Sequence, residues 1–348
     1  MSLEFRHIAH AYTGRTGRVE ALSDIAFTAP SGKITCLLGS SGSGKSTLLN
    51  LAAGLLPVQA GTISVDGNEM AAPGINPPPE ARPVGLVFQD GALFPHMTIA
   101  KNIAFGLPRS GSIGGDEALI EEWLERVGLT GLGPRFPHEL SGGQQQRASL
   151  ARAMAPEPQV LLMDEPFASV DIVLRRRLRR DCRRLLREAG TTTILVTHDP
   201  EEALDIADQI AVMESGCIIQ FGTPEDLHER PTTPSVGAIF GGAQIVSATR
   251  KGDALITSMG AWPLSCVAGD VPEEAELDLL VHAETLGCVA DPQGLEVVDV
   301  HPLGVASRLL LQSVQGEEIT VQSTAPVEEG ARYRVVPHAG SVRAFLKT

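Results

Sequence analysis

Apolar and polar positions follow two different rhythms along the chain. Residues 3–9 and 19–27 alternate as short strands around a glycine-containing turn at Thr13–Gly17. Lys33–Leu38 is an apolar run that enters a glycine-rich loop directly, and Ser46–Leu56 then carries a helical pattern closed by Pro57. Five prolines between residues 73 and 83 forbid a helix or a central strand, so a loop is expected there. Val84–Phe88 reads as a buried strand. From about Gly91 to Glu157 the pattern is helical, interrupted by the Gly/Ser break Ser110–Gly115. Val160–Met163 and Thr192–Val196 are apolar runs of strand length with helical sequence between them. Strands alternating with helices predict a mostly parallel sheet covered on both faces.

The rhythm changes after about Gly242. Leu277–Val281, Arg308–Leu311, Ile319–Gln322 and Arg332–Val336 are short β-like runs between turn signals, and Gln315-Gly316-Glu317 reads as a hairpin loop. The expectation is an α/β domain over residues 1–238, with a helical subdomain at about 91–158, and a small all-β domain over 239–348. Pro231 and Pro234 mark the linker.

Gly39-Ser40-Ser41-Gly42-Ser43-Gly44-Lys45-Ser46-Thr47 fits the P-loop pattern, following a strand and opening a helix. The glycines let successive N–H groups turn towards phosphate oxygens, and the helix N-terminus adds partial positive charge. Lys45 supplies a full charge at the β/γ-phosphates and Ser46 a hydroxyl for Mg²⁺. No Asn-Lys-x-Asp motif of guanine readers is present.

Val160-Leu161-Leu162-Met163-Asp164-Glu165 is an apolar strand ending in two carboxylates. Such a strand delivers its last side chains to the ligand-binding edge of a parallel sheet. Asp164 is placed to hold Mg²⁺ through water, and Glu165 to orient or deprotonate the attacking water. His198 follows another strand and could bridge the γ-phosphate and the water. Gln89, after Val84–Phe88, could touch Mg²⁺ or water and move with its loop. Taken alone, a histidine or an Asp-Glu pair in such a place is more often structural. The P-loop upstream gives these their chemical reading.

Leu140-Ser141-Gly142-Gly143-Gln144-Gln145-Gln146-Arg147 resembles the signature of ATP-binding-cassette (ABC) proteins; physically it is a helix N-cap offering a second anion site. The resemblance covers about residues 3–235. It implies a P-loop ABC cassette with ATPase activity, in which Tyr12 stacks on adenine and Gly39–Thr47 holds the phosphates. Gln89 is then the glutamine that couples to membrane subunits, and Asp164 and Glu165 are the metal-binding aspartate and catalytic glutamate. Ser141, Gly142, Gly143 and Gln144 bind ATP from the facing subunit, Asp171 is the D-loop aspartate and His198 the switch histidine. Lys45 and Gln89 join Glu165 and His198 in catalysis. The D-loop departs from the usual wording, reading Ala168-Ser169-Val170-Asp171. The tail resembles the TOBE (OB-like) regulatory domain of importer ATPases of the maltose, polyamine and ferric-iron type, although it reads His282-Ala283-Glu284 where Arg-Pro-Glu is common. Within that group the wording from Gln89 to Leu107 leans towards ferric iron.

The same resemblance implies ATP and Mg²⁺ as cofactors and a homodimer or paired cassette. It further implies two transmembrane permease subunits and, indirectly, an extracytoplasmic substrate-binding protein. A soluble ABC ATPase outside transport is the alternative, but those carry long coiled-coil insertions or two cassettes, and one P-loop and one signature stand here.

Composition narrows the picture further. The 348 residues are 43% hydrophobic and 20% charged, a globular balance. No run approaches the roughly 18–20 apolar residues that span a bilayer. Met1–His10 carries Glu4, Arg6 and His7 where a signal peptide has an apolar core, so a cytoplasmic chain, peripheral on the inner face of the membrane, is expected. Five scattered cysteines fit a reducing compartment. A net charge of −14 argues against nucleic acid as a partner. The basic run from Arg175 to Arg184 is expected to be a solvated helix face, with Leu174, Leu178, Cys182 and Leu185 turned inward. Leu93-Phe94-Pro95-His96 is either local core or, by resemblance, part of the groove for a permease's coupling helix.

Overall fold

The computed structural model describes residues 1–14, 17–89, 91–107, 115–168, 170, 172–240 and 242–347. It divides into two compact units, Met1–Glu225 and Asp226–Thr348.

The first unit has two sheets. Leu3–Gly14 and Gly17–Ala29 pair antiparallel along most of their length and, with Ala60–Val65 and Asn68–Ala71, form a four-stranded sheet. Both leading strands run well beyond the expected residues 3–9 and 19–27, because Tyr12↔Val19 and Gly14↔Gly17 continue the ladder past the core. The second sheet has six strands in the order Cys217–Gly222, Gln209–Glu214, Ile34–Leu38, Thr192–Thr197, Val160–Asp164 and Val84–Val87. All its neighbours are parallel except Cys217–Gly222 against Gln209–Glu214. Ile34–Leu38 and Thr192–Thr197 are buried at every position, as expected of strands covered on both faces. Helix Lys45–Ala53 carries Leu48, Leu49 and Leu51 into one core with Phe5, Ile25, Ile63, Leu162 and Val196, and so joins the two sheets.

Three expectations change here. The helix after the P-loop stops at Ala53 instead of running to Leu56. Gly54 ends it by donating its N–H to the Asn50 and Leu51 carbonyls, three residues ahead of Pro57. The helical stretch 91–157 resolves into Ile99–Ala104, Gly115–Arg126 and Gly142–Met154, with irregular, turn-containing chain before Ile99; the expected break lies largely outside the described residues. The arginine run is not a uniformly solvated face. Helix Ile172–Ala189 buries Leu178, Arg179, Cys182 and Leu186, while Leu185 is half-buried and the Leu174 side chain lies outside the described residues. Leu178 and Cys182 thus turn inward as expected, and Arg179 and Leu186 join them.

The second unit is all-β apart from short helices. A five-stranded sheet runs Gly260–Pro263, Ala254–Thr257, Gln244–Lys251, Glu276–Val281 and Arg343–Leu346, and a four-stranded sheet runs Glu318–Ser323, Ser307–Gln312, Leu286–Pro302 and Arg332–Pro337. Their inner faces share one core around Trp262, Leu279, Val297, Leu309 and Val335. Helix Pro234–Ile239 packs on Glu276–Val281 in the same unit. Among the described residues no helix is long and apolar enough to cross a membrane.

Candidate nucleotide and catalytic site

The phosphate loop begins where Ile34–Leu38 ends. A Cβ on Gly39 would lie 2.2 Å from the Met213 carbonyl oxygen, so only glycine fits. Gly44 has φ 100°, and a Cβ there would meet the Ala21 carbonyl oxygen at 2.5 Å. The Lys45 ammonium is folded over the loop and donates to the Gly39 and Ser40 carbonyls, both at 2.8 Å, and towards Ser43 Oγ at 3.4 Å. Burial pushes its pKa down, while Glu165 and Asp164 oppose that shift. Ser40, Ser41, Gly42 and Ser46 lie at the surface, and Ser43 is buried beneath them. Tyr12 is 44% exposed; its hydroxyl is 3.2 Å from Thr47 Oγ1, and its ring meets the buried His10 edge-on at 4.9 Å. Burial lowers the pKa of His10, so it backs the tyrosine as a neutral ring.

The carboxylates arrive from the neighbouring strands. Ser46 Oγ donates to Asp164 Oδ1 at 3.2 Å. Burial raises the Asp164 pKa and the Ser46 hydrogen bond opposes it. Glu165 adopts φ 43°, an uncommon conformation for this residue, costing about 1–3 kcal/mol. Its N–H donates to the Val196 carbonyl at 3.0 Å, and its Oε1 lies 3.0 Å from His198 Nδ1. The imidazole is exposed and the glutamate side chain mostly covered. Lys45, Ser46, Asp164, Glu165 and His198 are therefore brought together at one sheet edge. Gln89 is exposed, two residues past Val84–Val87, whose Val87 pairs with Met163, so it lies at the same edge.

Ser141 caps the separate helix Gly142–Met154, which packs on Ile99–Ala104, Gly115–Arg126, Ile172–Ala189 and Val84–Val87. The Ser141 N–H donates to Gln144 Oε1 at 2.9 Å; Ser141 and Gly142 are exposed and Gly143 is buried. Asp171 lies outside the described residues. The segment after Gln89 is fastened to the helices. Ser149 Oγ donates to the Gly91 carbonyl at 2.7 Å, and Arg152 donates to Gly91 at 3.0 Å and Ala92 at 2.7 Å. Asn102 exchanges hydrogen bonds with the Phe94 backbone. Leu93 and Phe94 are half-buried, Pro95 and His96 exposed.

Sequence reasoning missed several supports. Gln59 exchanges two hydrogen bonds with the Ala11 backbone, fixing the chain just before Tyr12. Buried Arg82 donates to the Leu51 and Ala52 carbonyls at the end of the P-loop helix. Arg179, 2% exposed, pairs with Asp199, Glu202 and Asp205. No local signal marks the first two, since their partners are 48 and about 30 residues away.

Three kinds of known protein resemble this chain. The family model described as "ABC transporter" matches residues 22–168. The sulfate/thiosulfate import ATP-binding protein CysA of Yersinia pseudotuberculosis is 37% identical over 339 residues, covering 94% of this chain and 90% of that one. The chain belongs to the ATP-binding subunits of ABC transporters. The protein of the same name from Bacillus cereus is 44% identical over 250 residues, covering 70% of this chain and 68% of that one. A solved structure, the dimeric post-hydrolysis state of the ATP-binding cassette MJ0796 bound to ADP and Pi, superposes with TM-score 0.55 at 26% identity, covering 64% of this chain and 98% of that one. The cassette binds and hydrolyses ATP and couples hydrolysis to transport, and the second unit is its TOBE/OB-like domain.

These relatives correct one expectation. The relatives that match this chain along most of its length are sulfate/thiosulfate import proteins, which overturns the expected ferric-iron, polyamine or maltose grouping. The Gln89–Leu107 wording that suggested iron reflects packing: Asn102 lies within this stretch, and Ser149 and Arg152 fasten Gly91 and Ala92 to the cassette's own helix.

Proposed function

We propose that this chain is the ATP-hydrolysing subunit of a sulfate or thiosulfate importer. It works as a dimer beneath two transmembrane permease subunits, on the inner face of the membrane, and is served indirectly by an extracytoplasmic binding protein. The observation that carries this reading is the 37% identity to a sulfate/thiosulfate import protein along 94% of the chain, both units included. Half-buried Phe94, 4.5 Å from the 61%-exposed ring of Phe105, supports a permease contact beside Gln89.

In the proposed mechanism Tyr12 stacks on adenine. The N–H groups of Ser40 to Thr47 hold the phosphates, and Lys45 leaves the Gly39 and Ser40 carbonyls for the β/γ-phosphate oxygens. Ser46 and Asp164 offer hydroxyl and carboxylate oxygens side by side, a donor set that suits Mg²⁺, and Gln89 can complete it. Among the described residues no cluster of three His, Cys, Asp or Glu could cage an ion alone, which fits a metal held jointly with phosphates. Mg²⁺, when bound, neutralises charge on the β/γ-phosphate oxygens. Glu165 takes the proton of the attacking water, with its Oε1 steadied by His198 at 3.0 Å. Ser141, Gly142, Gly143 and Gln144 reach the ATP of the facing subunit, with Asp171 at the same interface.

Sulfate uptake tests the substrate. Cells lacking this chain should fail to accumulate labelled sulfate or thiosulfate and recover with the wild-type chain. Full uptake in its absence, with loss of another solute instead, would refute the assignment.

A further inference from the structure

We propose that Arg179 is a positioning residue for His198: it grips Asp199, the next residue, and so sets the angle at which the imidazole meets Glu165. The inference rests on the roles given above to His198 and Glu165.

The imidazole is 58% exposed, so packing does little to orient it. Its flanking residues are held instead. Thr197 ends the strand Thr192–Thr197 and is buried, and its Oγ1 accepts the Asp199 N–H at 3.0 Å. Both carboxylate oxygens of Asp199 are engaged. Oδ1 caps helix Pro200–Ile206 by accepting the N–H groups of Glu201 at 2.9 Å and Glu202 at 3.4 Å. Oδ2 accepts from the Arg179 guanidinium. The other arm of Arg179 donates to Asp205 Oδ2 at 3.3 Å, and Glu202 Oε2 lies 3.6 Å from the arm that holds Asp199. One fork, buried in helix Ile172–Ala189, therefore ties down the start and the last turn of the helix that follows His198.

Stability alone does not call for such a group. Taking a guanidinium out of water is costly, and well-packed apolar residues often replace a buried ion cluster without loss. What a planar fork adds is direction: two donors at a fixed angle to two carboxylates. Direction matters here because a misplacement of about 1 Å at a reacting group can cost roughly 10²-fold in rate. The arm begins in the helix that starts at Ile172.

Steady-state ATP hydrolysis by the purified full chain tests this with Asp199→Asn, Arg179→Lys, His198→Ala and the paired substitutions. Asn still caps a helix but offers no second carboxylate oxygen to Arg179, so Asp199→Asn carries the test if Arg179→Lys does not fold. Each single change at Asp199 or Arg179 should lower kcat by about 10- to 100-fold with KM for ATP unchanged. Added to His198→Ala, neither should slow the enzyme further. Wild-type kcat in Asp199→Asn, or the same further loss in the His198→Ala background, overturns the clamp. Normal turnover in His198→Ala alone overturns the reading of the histidine and the clamp with it, whereas a slow His198→Ala beside a normal Asp199→Asn removes the clamp only.

Discussion

Glu202 shows how one residue's surroundings decide its chemistry. It is almost wholly buried, and burial raises its pKa to about 7 although Arg179 and Thr197 pull it down. Its folded pKa thus lies above the ordinary glutamate value of 4.5, so between about pH 4.5 and 7 the folded state holds the extra proton. That contribution is complete below pH 4.5 and lost as pH rises through about 7. Glu202→Gln should therefore flatten the fall in stability between pH 5 and 7, measured by urea unfolding at several pH values; an unchanged slope would place the titration elsewhere. The P-loop, Asp164, Glu165 and His198 were legible in the sequence because each is a contiguous motif at a strand end. Arg179 was not. Among seven arginines between 175 and 184, the one that goes inside is selected by helix phase and by carboxylates 20 and 26 residues away.

At the scale of elements, ends and interruptions were the hard part. Helix Lys45–Ala53 directs its N-terminus at the phosphate loop, and Arg82 meets its far end with bonds of 2.7 and 2.9 Å to the last carbonyls, where a cation is favourable. Nothing in the proline-rich wording before Arg82 announces that role. Arg82→Ala should take a donor from both buried carbonyls, leaving the Leu51 carbonyl only the Gly54 N–H, and destabilise the first unit by about 2–4 kcal/mol. Guanidinium chloride unfolding would show it as a lower midpoint, and an unchanged midpoint would contradict it. The strand Leu286–Pro302 is not among the runs expected from the sequence, and Asp291-Pro292-Gln293-Gly294 in its middle has turn-forming composition. In the structure the ladder to Arg332–Pro337 breaks between Ala290 and Leu295 and resumes, so the turn-like residues form an irregularity within one strand. The hairpin at Gly316 was legible because its alternation and its turn agree.

At the scale of the whole molecule, alternating patterns predicted an α/β domain followed by an all-β one, and the two compact units meet between Glu225 and Asp226, ahead of the expected 238/239. Cargo was not legible, because the distinctive wording lies in segments that pack the cassette and no residue read from the sequence touches a solute. The central claim is that this chain hydrolyses ATP with Glu165 as the group that activates water. Single-turnover hydrolysis of ATP by the full chain, wild type against Glu165→Gln, tests it most directly. The account predicts a loss of about 10²-fold or more with ATP still bound and a stable ATP-held dimer. Turnover by Glu165→Gln at the wild-type rate would contradict it.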